Sequence, residues 1–122
     1  MEILLFGLFF IVKSLPYDII VNIDESNYFE IPANYFISAK IYSKPSAGLI
    51  WAMIADNSSE IVIENHYGEF ILDEQDQSKG FQEFNFSCKG CKVYQEYIAY
   101  FVLKRPWKFY YSDIRKINFK IR

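Results

Sequence analysis

Tyr35-Phe36-Ile37-Ser38-Ala39-Lys40-Ile41-Tyr42 is the stretch that decides the fold class. Tyr35, Ile37, Ala39 and Ile41 fall on one face, and Phe36, Ser38, Lys40 and Tyr42 on the other. Only an extended chain sends alternate side chains to opposite sides, so the run predicts a half-buried strand. The same alternation recurs on both sides of it. Upstream, Ile19, Val21 and Ile23 share a face until the polar residues 24–27 interrupt, and residues 30–34 read as a turn. Downstream, Leu49, Trp51 and Met53 alternate with Ile50 and Ala52 until Asp56 stops the run. Residues 60–67 supply a fourth strand, Ile61 and Ile63 opposing Val62 and Glu64, whereas residues 68–79 have no clean period. In residues 81–88, Gln82, Phe84 and Phe86 lie on one side. Residues 93–103 form the longest run, with Tyr97, Ala99, Phe101 and Leu103 together. Between those two strands Lys89-Gly90 reads as a two-residue hairpin turn in which Gly90 supplies a positive φ. Ile117, Phe119 and Ile121 alternate with Asn118, Lys120 and Arg122 in a last strand. No helical period competes, so about seven short strands predict an all-β chain folded as a small antiparallel β-sandwich.

A chain of 122 residues fits one domain, and 52% hydrophobic with 20% aromatic residues gives it ample core. The formal charge of −2 offers no basic face to a phosphodiester backbone, which argues against nucleic acid as a partner. Residues 3–12, I-L-L-F-G-L-F-F-I-V, are too few to span a bilayer but suit the apolar segment of a secretory signal. Residues 1–14 are therefore read as a removable signal and residues 15–122 as the domain, although Glu2 gives the start no positive side chain. A secretory route follows, ending outside the cell or in an endosomal, lysosomal or phagosomal compartment, with no stable membrane anchor.

Reactive groups are few. His66 is the only histidine, and nothing in the spacing orients it toward Cys88 or Cys91, so no catalytic pair and no enzyme activity are expected. Cys88 and Cys91 form C-K-G-C. A redox dithiol of that spacing belongs at a helix start, and a zinc site needs further ligands that the chain lacks. A disulfide across the turn and a pair of free thiols both remain open. Asp73, Glu74 and Asp76 lack the spaced ligand pattern of a calcium loop and suit a solvated face, so no metal or other cofactor is expected. Asn57-Ser58-Ser59 and Asn85-Phe86-Ser87 are glycosylation sequons in a secreted chain, Asn57 sitting in the better turn.

Two proline-stiffened tips remain. Lys44-Pro45-Ser46-Ala47-Gly48-Leu49-Ile50-Trp51 joins two strands, and Lys104-Arg105-Pro106-Trp107 follows the longest one. Pro45 and Pro106 fix their own φ, and Gly48 can take one that a side chain forbids. Together the tips resemble the chagasin family, inhibitors of papain-like cysteine peptidases. Its first loop carries Asn-Pro-Thr-Thr-Gly, an aromatic residue, one further position and Trp. Its third carries Arg-Pro-Trp, matched in full by Arg105-Pro106-Trp107. Departures are Lys44 for the asparagine, Ser46 and Ala47 for the threonines, and Leu49 for the aromatic residue. The glycine-rich middle loop keeps only Gly80.

The resemblance implies an immunoglobulin-like sandwich whose three neighbouring loops form a wedge for the peptidase cleft. Inhibition would be reversible and non-covalent. Lys44, Pro45, Ser46, Ala47, Gly48, Leu49, Gly80, Arg105, Pro106 and Trp107 would meet the enzyme, Trp51 would support the first loop from below, and the free protein would be a monomer. A secreted immunoglobulin-like adhesion or recognition module is the alternative function.

Overall fold

Nine strands form among the residues that the computed structural model describes, which are 19–44, 48–56, 60–72, 74–75, 80–88 and 90–122. The signal segment 1–14, Pro45, Ser46, Ala47, the Asn57 sequon, Asp73, Asp76 and Lys89 lie outside them. In chain order the strands are β1 (Ile19–Asn22), β2 (Tyr28–Ile31), β3 (Phe36–Ser43), β4 (Ile50–Ala55), β5 (Val62–Ile63), β6 (Glu69–Leu72), β7 (Gly80–Ser87), β8 (Glu96–Lys104) and β9 (Asp113–Ile121). No helix occurs among the described residues.

One sheet has the order β2-β9-β8-β4, and the other β1-β3-β7-β5 with β6 also paired to β7. β1 runs parallel to β3 and β2 parallel to β9, while the remaining pairs are antiparallel. Both sheets are therefore mixed, each with a parallel strand at one edge that alternation along a single strand could not announce. The two inner faces close on one core, as expected of an immunoglobulin-like sandwich. Ile37, Ala39 and Ile41 of β3 and Phe84 and Phe86 of β7 face Met53, Ala99, Phe101, Ile117 and Phe119 of the other sheet. Phe84 meets Phe101 edge-on with ring centres 5.4 Å apart, and Phe86 meets Phe119 at 5.2 Å. Each ring pair contributes about 0.5–1.5 kcal/mol beyond its area burial.

Several local expectations fail. β7 and β8 lie in different sheets, so they do not form the hairpin expected across Lys89-Gly90, where Lys89 lies outside the described residues, and residues 90–95 lead into the other layer. Cys91 N–H donates to the Cys88 carbonyl (3.1 Å) and Tyr94 N–H to that of Ile121 (2.7 Å) within this crossing. Gly90 does not take a positive φ, and the carboxylate of the exposed Glu60 lies where its Cβ would sit. The strand expected over 60–67 shrinks to β5, because Gly68 takes a φ of +62° with the Glu83 carbonyl where a Cβ would sit. β6 arises where no period was visible, since all four of its residues are exposed and a strand wet on both faces has no alternation to read. Finally, Glu30 and Ile31 belong to β2 rather than a turn, and Tyr35 is exposed, lying just before β3 begins.

Candidate functional site

Strand register fixes which loops share an end of the sandwich. Ser43 pairs with Gly80, Ile50 with Lys104 and Asp113 with Leu103, so the connections 44–49, 73–79 and 105–112 all leave from the same end. At that end two of them meet. Gly48 has a φ of +77°, and a Cβ added to it would lie 3.0 Å from Arg105 Nη1 and 3.5 Å from Trp107 Cη2. Glycine thus serves two needs at once: a left-handed backbone and room for the neighbouring tip.

The third tip is shaped by its own backbone. Lys108 N–H donates to the Arg105 carbonyl (3.0 Å), which closes a turn over Pro106 and Trp107, and Ser112 N–H donates to the Leu103 carbonyl (2.6 Å) at the base. Trp107 is 66% exposed, Phe109 and Tyr110 continue an exposed aromatic run, and Tyr111 is partly covered beside Ala52, Ile54 and Val102. Arg105 is half-buried, while Pro106 is exposed.

Beneath the first loop the structure is tied down by polar bonds inside the core. Trp51 is 4% exposed, its indole N–H donates to the Tyr42 carbonyl (3.0 Å), and the Arg115 guanidinium lies 4.9 Å above its ring. Arg115 also pairs with Asp24 (2.6 Å), whose other oxygen accepts the Tyr42 N–H (2.7 Å). Gln82, fully buried, accepts from the Trp51 N–H (2.8 Å) and the Ser43 hydroxyl (3.1 Å), and it donates to the carbonyls of Trp51 and Tyr67 (2.9 Å each). Two residues on, the Met53 N–H donates to the His66 carbonyl and His66 Nδ1 bonds the Met53 carbonyl, both at 2.8 Å. That contact makes Nδ1 the protonated nitrogen. β4 is the edge of its sheet, and Gln82 and His66 satisfy the outward main-chain groups that an edge strand leaves open.

Of the residues singled out in the sequence, Lys44 is exposed, Gly48 and Leu49 are half-buried, and Trp51 packs inside. Gly80 is buried, and its missing side chain makes room for the Ile71 carbonyl of β6. Its glycine identity therefore follows from sheet packing and opens no surface. Tyr42, Lys44, Leu49, Trp51, Leu103, Asp113 and Arg115 surround a cleft of about 270 Å³ where the first loop meets the ends of β8 and β9. Cys88 and Cys91 lie toward the far end of β7, both buried, with their sulfurs in contact and Cα atoms 5.2 Å apart. His66 has its structural partner in Met53 rather than either cysteine. Among the described residues no three His, Cys, Asp or Glu side chains gather as a metal site. Sequence reading missed Arg115, Asp24 and the run Phe109-Tyr110-Tyr111, although aromatic density directly after Arg-Pro-Trp was a visible signal for the last.

No protein-family model matches the chain, and no curated protein matches its sequence. Solved structures share its architecture. A cysteine protease inhibitor from Entamoeba histolytica superposes with a TM-score of 0.62 at 17% identity, covering 85% of this chain and 95% of that one. The solution structure of Amebosin superposes at 0.60 with 14% identity, covering 85% and 97%. At such identities the likeness is one of fold.

Proposed function

We propose that the protein is a reversible, non-covalent inhibitor of papain-like cysteine peptidases that occludes the active-site cleft with the loops gathered at one end of the sandwich. The contact of Gly48 with Arg105 and Trp107 carries this reading, because it brings together two tips almost sixty residues apart in sequence. The fold shared with a cysteine protease inhibitor supports it at the level of architecture. Trp107 supplies the apolar anchor and Arg105 a planar multiple donor, residue types that dominate interface energetics. Pro45 and Pro106 limit the entropy lost when the tips dock. Ser46, Ala47 and Gly48 would face the target's catalytic cysteine and histidine, while the middle connection contributes through residues beyond the buried Gly80. No atom of the inhibitor changes bonding. The protein would meet its targets in the secretory route or outside the cell, after loss of residues 1–14.

Titration of papain and of an unrelated serine protease with the wild-type protein and Trp107→Ala tests this. Wild type should inhibit papain stoichiometrically and spare the serine protease. Trp107→Ala should weaken inhibition by about thirtyfold, equivalent to about 2 kcal/mol, without a change in melting temperature. A folded Trp107→Ala protein that inhibits as well as wild type would remove the tip from the mechanism. Failure of wild type against several papain-like enzymes would favour an adhesion or recognition module.

A further inference from the structure

Near its end, β3 loses the neighbour on one side. The Lys40 carbonyl accepts from the Ile23 N–H (2.8 Å), so Lys40 turns its main-chain groups toward β1, and Tyr42, two residues on, turns its own the same way. β1 has by then ended at Asn22, opposite Lys40. Two side chains stand in for the missing strand: Asp24 Oδ2 accepts from the Tyr42 N–H (2.7 Å), and the Trp51 indole N–H donates to the Tyr42 carbonyl (3.0 Å). Tyr42 lies two residues before Lys44 and Trp51 two after Leu49, so the indole bond joins the two stems of the first loop. Arg115 in turn joins the two substitutes. Its Nη1 meets Asp24 Oδ1 at 2.6 Å while its guanidinium lies 4.9 Å above the Trp51 ring. It stands on β9 two residues after Asp113, the residue into which the third connection runs and whose carboxylate is 3.9 Å from Arg115 Nε. Arg115 thus touches the base of the third tip and both stems of the first.

We propose that Arg115 is a positioning residue for inhibition: paired with Asp24, it ties the exit of the third tip to both stems of the first, so that the two tips reach the peptidase in a fixed relation. This rests on the inhibitory reading above. Stability alone does not account for the arrangement, because both side chains of the pair are partly exposed and such a pair adds little in water. Its chemistry suits a tie. A guanidinium is planar, so one edge can pair with a carboxylate while the face covers an indole, which the ammonium group of a lysine cannot do. The consequence for binding is one of population. Tips that wander between several arrangements bind only through the competent fraction, so a contact at their base changes affinity without touching the target.

Arg115→Ala, Arg115→Lys and Ile121→Val, each assayed for papain inhibition, thermal melting and proton exchange at the Tyr42 amide and the Trp51 indole, test the tie. Ile121 is fully buried at the opposite end of β9, so its truncation supplies a loss of stability remote from the tips. Arg115→Ala should stay folded, with a melting temperature no more than about 8 °C lower. Both protons should exchange at least about threefold faster, and the inhibition constant should rise at least about fivefold. Arg115→Lys should recover protection of the Tyr42 amide through its charge pair with Asp24, yet regain inhibition only in part. Ile121→Val should inhibit as wild type does, despite a comparable fall in melting temperature. Arg115→Ala that inhibits papain within twofold of wild type, or leaves both protons as protected as before, overturns the positioning role while the Trp107 wedge stands. Ile121→Val that weakens inhibition as much as Arg115→Ala reduces the effect to stability and overturns it as well. A wild type that inhibits no papain-like enzyme brings down the inhibitory reading and this role together.

Discussion

Gln82→Leu should be the most damaging single substitution for its size. The side-chain volume is nearly conserved, so the change removes hydrogen bonds rather than opening a cavity. Gln82 is fully buried and holds both the N–H and the carbonyl of Trp51, together with the Tyr67 carbonyl and the Ser43 hydroxyl. Tyr67 is half exposed, so water can replace that bond, and the Ser43 hydroxyl can rotate. The two main-chain groups of Trp51 have no such relief, because the residue is 4% exposed and its outward edge has no neighbouring strand. A buried main-chain group left without a partner costs roughly 1–3 kcal/mol, so the pair amounts to roughly 2–5 kcal/mol after the polar side chain's own desolvation is recovered. At roughly 4 °C per kcal/mol for a domain of this size, the melting temperature should fall by at least about 8 °C. Urea denaturation of wild type and variant would give the same quantity from the shift in midpoint at constant slope. Hydrogen exchange at the Trp51 amide should accelerate ahead of the Met53 amide, which keeps its bond to the His66 carbonyl. A midpoint within about 0.5 kcal/mol of wild type would refute the idea that this side chain closes the sheet edge.

Gly48→Ala should weaken inhibition and stability together. An alanine at a φ of +77° costs about 1–2 kcal/mol and its methyl would press on Arg105, so the melting temperature should fall by about 4–8 °C and the inhibition constant should rise at least about fivefold. Cys88 and Cys91 in protein from an oxidising compartment should resist alkylation until reduced, and reduction should cost about 2 kcal/mol because the closed loop is so short. Two thiols labelled in the native protein would reject the bridge. Intact mass of protein from its native cell should correspond to a chain lacking residues 1–14, and a mass that includes Met1 would reject the signal.

How much was legible in the sequence depended on whether a residue's environment was local. β3, β7 and the inner face of β9 could be read because one side of each is dry and the other wet, so burial writes itself into every second residue. β6 could not, since Phe70, Ile71 and Leu72 are all exposed. The layer crossing after Cys88 looked like a hairpin for a related reason: a short connection with glycine is equally good for turning within a sheet or leaving it, and which it does depends on the strand pairing on either side. At the candidate site, Gly48, Arg105 and Trp107, which the structure brings together, were marked by residue type and spacing. Asp24 and Arg115, ninety-one positions apart, were not, because an ordinary surface acid and base acquire a role only when the fold pairs them with the guanidinium over Trp51.

The polar bonds of the core and the apolar rings of the tips are parts of one arrangement. Docking with loops is effective only if the loops are ordered before the partner arrives, and a loop at the end of an edge strand is the hardest kind to order. β4 is such a strand, flanked on one side alone by β8. Gln82 and His66 take the place of the missing neighbour at Trp51 and Met53, and Arg115 holds the Trp51 ring from above through its bond to Asp24. The surface ion pair alone is worth little in water, since both groups are partly exposed. Its value is positional: it fixes the guanidinium over the indole, the indole N–H fixes Tyr42, and Tyr42 is followed by Ser43 and Lys44 where the first loop leaves the sheet. Three residues before Trp51 in the chain, Gly48 lies with its bare backbone against Arg105 and Trp107. Contacts that are each a few ångströms long thus lead from a buried amide to an exposed indole.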